Sequence, residues 1–572
     1  MRLFIGSRQG TKMLVDRLCG ARAALGVAQR RWLTVCIVVL TLSWTLPAAA
    51  AVCYVNAGAG GTNMGVSWTD AYTDLQSALT DANCTEVWVA EGVYKPTSTT
   101  SQALSFNINS NVAVYGGFAG DEISRDARDP VAHVTILSGD IDNNDTNVDG
   151  VDADTSKIVG SNSHHVVVIS GAVGNPITAA TVLDGFTLTG GDDSGSALPS
   201  EGGGALWCKG NGAGNACSPT LATLVFSGNK ATYGGAVALQ GYSGGVSNPT
   251  LTNVTFTGNS ASFFAGAMYN NAQVGGTCSP TLTNVIFSGN SSIGGPAFGG
   301  AMIDDGGGMS SPSLTNVTFS GNSASSGAGA IMINGASGTN SPTLINVTFS
   351  GNQALSGNGG ALYINGSSTS SPTLTNVTFY GNSANGGNGG AIYHSGNNGD
   401  FSLTLYNATI SGNGASNGGA IYNAGSNSYP FLINSIVWGD SATTSGPEFA
   451  YAASAGQVDL FSSIIQNGCA VNNCGGGGVG DANLTGDPVL GPLQNNGGFT
   501  QTMMPGLASA AIDALPCSGS HDVPVTDQRG AVRPDSASSG PTRCDIGAVE
   551  ANSLPGDLIF ADKFGSSAWD DF

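Results

Sequence analysis

The sequence predicts an all-β fold: a right-handed, single-stranded parallel β-helix of about 30 residues per coil, with an N-terminal cap containing a short helix. Three observations predict it. The first is a fixed period. Pro219, Pro249, Pro280, Pro312, Pro342 and Pro372 are spaced by 30, 31, 32, 30 and 30 residues. Phe226, Phe256, Phe287, Phe319, Phe349 and Phe379 keep the same beat, each followed three residues later by Asn229, Asn259, Asn290, Asn322, Asn352 or Asn382. A Gly-Gly-Ala or Ala-Gly-Ala step plus an apolar residue recurs around Gly204, Gly235, Gly266, Gly300, Gly329, Gly360, Gly390 and Gly419. The second is alternation: Val377 and Phe379 share one parity and Thr378 the other, in runs rich in β-formers. The third is composition. The 572 residues include 87 Gly and 10% charged residues, against about 7% Gly and about 25% charge in ordinary domains. Gly plus Pro is 109 residues, below the roughly 25–30% of disordered chains, so the glycines read as turns. A unit of this size cannot bury its apolar face alone; stacking closes the core.

Taken in order, residues 1–51 read as an export signal. Arg17, Arg22, Arg30 and Arg31 form a basic region, Leu33 to Leu46 an apolar one and Ala49-Ala50-Ala51 a cleavage site, with Met13 an alternative start. The apolar run is short for a membrane anchor, and no later segment is suited to cross a membrane. Val52 stands where a lipoprotein would carry a small residue before Cys53. Residues 1–51 hold 7 of 17 Lys+Arg and 1 of 38 Asp+Glu. The remainder keeps 10 and 37, a formal charge of −27. That excludes nucleic acid and anionic lipid as natural partners, since both need a basic footprint, and disfavours an unassisted acidic polysaccharide.

Residues 52–100 read as the cap, because an uncovered solenoid end presents unpaired strand edges. Cys53 to Asn56, Val87 to Val89 and Val93-Tyr94 are strands; Asp70 to Leu79 suits a helix with Ala71, Leu75, Ala78 and Leu79 on one face. Residues 101–480 form the β-helix. Its first coils, to about residue 200, are irregular and carry an acidic loop, Asp140 to Asp154; regular repeats run over 203–423. Gly475 to Gly478 reads as a loop before a C-terminal module, 481–551, in which Arg529 and Arg533 pair structurally with Asp527 or Asp545. Residues 552–572 form a tail in which Phe560 to Phe564 reads as a tag for export or attachment.

Nine cysteines follow residue 51. Local spacing pairs Cys53 with Cys84, Cys208 with Cys217, Cys469 with Cys474 and Cys517 with Cys544, leaving Cys278. Disulfides suit an exported chain. Zinc is the alternative, but no C-x-x-C occurs and the five histidines are not spaced with the cysteines.

Four sets of residues are candidate sites. Asp145-x-Asn147-x-Asp149-Gly150, with Asp152 beyond, matches half of a calcium loop, which makes structural calcium the candidate cofactor; Ser156 stands where the bidentate Glu is expected. The position after each Gly-Gly-Ala-apolar step is Trp207, Ala238, Tyr269, Ile303, Met332, Tyr363, Tyr393 or Tyr422. If the preceding apolar set is core, Trp207, Tyr269, Tyr363, Tyr393 and Tyr422 form an outward aromatic stripe suited to a polysaccharide or a partner surface; the alternative is interior stacking. Asp192-Asp193 and Asp304-Asp305 are the carboxylate pairs a hydrolase would need, although neighbours in a strand face opposite ways. His164 and His165 lack an evident nucleophile. The Asn column reads as a structural amide ladder, and the outward threonines, Thr255, Thr318, Thr348, Thr378 and Thr409, as solvated sheet.

Phe-x-x-Asn in phase with Gly-Gly-Ala-Ile resembles the repeats of the polymorphic outer-membrane proteins, bacterial surface β-helices of pectin-lyase-like fold. Ser67-Trp68, Asp74-Leu75-Gln76, Trp88-Val89-Ala90 and Gly92 to Pro96 resemble the N-terminal region of secreted bacterial β-helix proteins. Gly486-Asp487-Pro488, Leu493 to Gly498, Thr526 to Gly530, Arg533-Pro534 and Cys544 to Ala548 resemble a C-terminal module of such proteins whose final sorting segments vary. The resemblance implies an exported protein of the cell outer surface or exterior, an adhesin-like or structural rod that meets a polysaccharide or a neighbouring cell. The residues after 480 are too few for the membrane β-barrel that family carries. Pectate lyases and polygalacturonases share the fold, so a lyase or hydrolase is the rival reading. The array from 203 to 440 holds only Lys209 and Lys230 as cations and lacks the polygalacturonase signatures, so the residues favour a non-enzyme.

Overall fold

A computed structural model describes residues 52–195, 201–335, 338–366, 370–396, 403–426, 428–475, 483–517, 523–534 and 543–551, all within one compact unit. The export signal expected at 1–51 and the tail at 552–572 lie outside them. The chain winds into a right-handed parallel β-solenoid of about 13 coils of about 31 residues. Each regular coil contributes one strand to each of three parallel sheets. In one coil these are Thr373–Tyr380 in the first sheet, Ser383–Asn388 in the second and Ile392–His394 in the third. Register is strict. Thr343, Leu344, Val347 and Phe349 pair with Thr373, Leu374, Val377 and Phe379, and those with Thr404, Leu405, Ala408 and Ile410.

Simple alternation explains only half of the long strand. Leu374 and Val377 are three residues apart yet both fully buried. The intervening Asn376 adopts φ +54°, as Asn253, Asn284, Asn316 and Asn346 do between +55° and +57°. This left-handed step, which Asn tolerates better than most side chains, resets the parity. Leu374, Val377 and Phe379 therefore all face inward. These asparagines also form a ladder of their own, each amide donating to the Oδ1 one coil back at 3.1–3.2 Å.

Inside, the six phenylalanines stack with ring centroids 4.6–5.0 Å apart and planes within 9°. That is the inter-strand spacing itself. At the following turn the buried asparagines form a second ladder. Asn322 Nδ2 donates to Asn352 Oδ1 at 2.9 Å and to the Phe287 carbonyl at 2.9 Å, while its Oδ1 accepts from the Nδ2 and backbone N of Asn290. The ladder runs from Asn229 to Asn413 and ends on Asp440, which accepts from both Asn413 donors. An acid suits the last rung, where no further amide awaits a proton. Burial first, and the neighbouring Asp440 second, push the Glu448 carboxyl well above the usual carboxylate range.

The N-terminal helix is shorter than expected, Leu75–Thr80. Asp70 instead accepts from Thr62 N and Oγ1, tying down the preceding loop, and Asp74 caps the helix through Ser77 N. The cysteines are joined as 53–84, 208–217, 469–474 and 517–544, with Cα separations of 4.8–5.8 Å; Cys278 is free and buried.

The C-terminal module docks on the outer face of the first sheet. The expectation of a solvated threonine column fails here: Thr348, Thr378 and Thr409 are at most 1% exposed. Thr348 donates to the Gln501 carbonyl and Thr378 to Gln528 Oε1, while Gln528 Nε2 donates back to Thr348 and to Thr500. The Ala548 amide donates to Thr409. Arg529 pairs with Asp527 at 2.8 Å and Arg533 with Glu550 at 3.1 Å, all four buried. These cations staple the module together.

Candidate functional site

The third sheet carries the aromatic column. Trp207, Ala238, Tyr269, Ile303, Met332, Tyr363, Tyr393 and Tyr422 pair in unbroken register. The preceding set, Leu206, Val237, Met268, Met302, Ile331, Leu362, Ile392 and Ile421, lies in the core. The column therefore faces outward. It lines a concave corner where the second sheet turns into the third: a Cβ on Gly234 would lie 3.0 Å from Tyr269 Cβ, and one on Gly299 within 2.4 Å of Ile303 Cγ1. These glycines keep φ at +59° and +65°, which L side chains resist.

The corner is filled in its middle and open beyond. Tyr233, Phe264 and Phe298, each directly before a Gly-Gly-Ala or Ala-Gly-Ala step, fold over the column. Tyr269 is thereby fully buried, which removes it from the expected ligand-binding stripe. Its hydroxyl donates to Asp305 Oδ2 at 2.8 Å. In the next coil the same position is Gly327, whose missing side chain leaves room for Phe298 to reach Tyr363, centroids 5.9 Å apart. Further on it is Asn358, Asn388 and Asn417, an amide ladder beside the partly buried tyrosines. Tyr393 and Tyr422 stack at 5.6 Å within 5° of parallel, and Tyr363 leans on Tyr393 at 4.8 Å with its plane tilted by 40°. Stacked rings cover each other's faces. Along the rod the stripe offers ring edges and hydroxyls with amides alongside, not open platforms. Trp207 is separate: His165 lies 4.7 Å from its ring and Lys209 Nζ 4.1 Å above it.

The carboxylate pairs do not converge. Asp192-Asp193 lie in the second sheet and Asp304-Asp305 in the third, three coils on. That is about 14 Å of rise, against the roughly 5–10 Å a glycosidase pair needs. Within each pair the neighbours face opposite ways. Asp192 sits 3.6 Å from Lys230, while Asp193 is buried and pushed up to about 7 by burial. Asp304 points into the core, where burial raises it to about 7 and Asn270 donates to it. Asp305 accepts from Tyr269, Gln273 and Asn334. Burial pushes His165 down to about 4, and its Nδ1 lies 2.9 Å from the Gly203 carbonyl.

The expected calcium set separates. Val148 to Val151 forms a tight turn with φ +54° at Asp149 and +83° at Gly150, and Asp149 is exposed on that turn. Asp145 and Asp152 do approach each other, joined by Asn162, which the sequence did not single out. A spacing signal could not have found it, since it arrives on the far side of the loop. Tyr233, Phe264 and Phe298 were not singled out either, although their place directly before the Gly-Gly-Ala or Ala-Gly-Ala step is a signal the repeat offers. The cleft bounded by Tyr115, Arg125, Arg128 and Asp184 on the first sheet was not foreseen. Its two cations are engaged, Arg128 with Asp184 at 2.6 Å and Arg125 with Glu86 at 3.8 Å. No helix among the described residues is long and apolar enough to cross a membrane, which leaves strands aside.

The chain matches the family described as the Chlamydia polymorphic membrane protein (Chlamydia_PMP) repeat over residues 346–365 and 376–395. Each matched stretch spans the end of a first-sheet strand, the buried Asn rung and the Gly-Gly-Ala corner, the elements that set the coil. No curated protein matches the chain. The chain is a right-handed parallel β-solenoid, and two stretches of it match the Chlamydia polymorphic membrane protein repeat.

Proposed function

We propose that this protein is an exported, non-enzymatic rod of the cell outer surface or exterior, working as an adhesin-like or structural element. The matched repeats carry the reading of location. The scattering of the candidate carboxylates carries the reading against hydrolysis: paired neighbours face opposite ways and the pairs sit three coils apart. Buried threonines under the C-terminal module, four disulfides and continuous amide ladders suit a rod that keeps its shape outside the cell. Contact with a partner is assigned to the open part of the corner, where Tyr363, Tyr393 and Tyr422 present hydroxyls beside Asn388 and Asn417. A neutral or weakly charged polysaccharide fits that chemistry better than an acidic one, given the formal charge of −27 beyond residue 51.

Two experiments test this. Protease treatment of intact producing cells is expected to degrade the protein while cytoplasmic markers survive; full protection would refute a surface location. Retention on immobilised polysaccharides is expected to be lost in Tyr393→Phe with no change in melting temperature. Equal retention by that variant would remove the tyrosine hydroxyls from the contact.

A further inference from the structure

The acidic loop folds back so that two carboxylates and an amide meet under one glycine. Asp152 is fully buried, yet neither of its carboxylate oxygens has a hydrogen-bond partner. Asn162, 1% exposed, holds its Nδ2 2.7 Å from Asp145 Oδ2 and 2.6 Å from the Gly190 carbonyl oxygen, while its own Oδ1 is unpartnered. A Cβ on Gly190 would lie 2.9 Å from Asp152 Oδ2, 3.2 Å from Asp145 Oδ2 and 3.4 Å from Asn162 Nδ2. The glycine, at φ +68°, leaves that side open. Two oxygens therefore hold one amide nitrogen, and Asp152 Oδ2 faces the same open side of Gly190. A half-turn of the Asn162 amide would add a fourth oxygen to the same point.

Asp152 is fully buried and Asp145 half-buried, and carboxylates brought this close suit a shared positive charge. Lys95 is the nearby cation, but it pairs with Asp140 at 3.2 Å and with Asn143. We propose that Asp145, Asp152, Asn162 and the Gly190 carbonyl bind a hard divalent cation, calcium by chemistry. The donors are all oxygen, from two carboxylates, an amide and a backbone carbonyl. Such irregular sets suit Ca²⁺, which takes 6–8 oxygens at about 2.3–2.6 Å and completes its shell with water, better than Mg²⁺, which demands a near-ideal octahedron. The ion ties the loop to the solenoid. Asp152 already donates its backbone N to Thr189 Oγ1 and accepts at its carbonyl from Ser227 Oγ, so a cation here joins the loop to two successive coils. Asn147 and Asp149 take no part.

The test is equilibrium dialysis of the full chain against CaCl₂ at pH 8 with bound calcium counted, alongside melting curves in CaCl₂ and in EDTA. The expected result is one tight Ca²⁺ per chain and a higher melting temperature with calcium. Asp152→Asn is expected to weaken that site at least tenfold. In EDTA the same variant is expected to melt at or above the wild type, because it removes an uncompensated buried acid; this reading distinguishes lost binding from a folding defect. No tight calcium in the wild type, or a site unchanged in Asp152→Asn, would overturn the proposal.

Discussion

Replacing Asn322 by alanine removes one rung from the middle of the buried amide ladder. Three groups lose a partner: the Nδ2 and the backbone N of Asn290, and the carbonyl of Phe287. Asn352 Oδ1 keeps the backbone N of residue 322 as a donor. Asn322 is fully buried, so water does not replace what is lost. Each orphaned buried polar group costs about 1–3 kcal/mol. Asn290 Nδ2 retains the Phe256 carbonyl, which lowers its share. The expected total is about 3–5 kcal/mol. Asn322→Asp is expected to be as damaging, because a carboxylate there accepts from Asn290 but cannot donate to Phe287 or Asn352. Urea unfolding followed by circular dichroism measures both. A loss under about 1 kcal/mol would refute the view that the ladder locks the coils in register.

Further outcomes follow from the same geometry. Asp304 is raised to about 7 by burial, so folding takes up a proton there above the ordinary carboxylate range. Its penalty is absent below about pH 4, grows as pH rises and reaches about 4 kcal/mol above pH 7. Asp304→Asn is expected to match the wild type at pH 4 and exceed it in stability at pH 8; equal curves at both pH values would contradict a protonated buried Asp304. Gln528→Ala strips partners from Thr348, Thr378 and Thr500 and is expected to free the C-terminal module. The signature is faster amide exchange over 343–350 and 373–380 with the rest of the array unchanged. Uniform protection would show that the module does not depend on that contact.

The solenoid was legible because its repeat aligns like residues in columns: the stacked phenylalanines and the amide ladder sit where the period puts them, and the four cysteine pairings followed from local spacing. The sheet parity was legible only in part. Asn376 and its counterparts look like ordinary turn formers, and their left-handed step inside a strand emerges once neighbouring coils pair. Docking was not legible. Thr348 and Thr378 read as solvated because nothing in their own coil says that Gln528, 150 or more residues away, covers them. The same limit governs the sites. The outward stripe followed from parity, but burial of Tyr269 depends on Phe264 and Tyr233 arching over the corner. The acidic loop showed its charge, while the Asp152–Asn162 meeting depends on how the loop closes.

The most direct measurement of the central claim is release of reducing ends and unsaturated products by the purified chain on a polysaccharide panel, with and without calcium. The account predicts no release on any member, together with retention on at least one. Release that Asp193→Asn or Asp305→Asn abolishes while the variant stays folded would contradict it, and would place an active site on this rod.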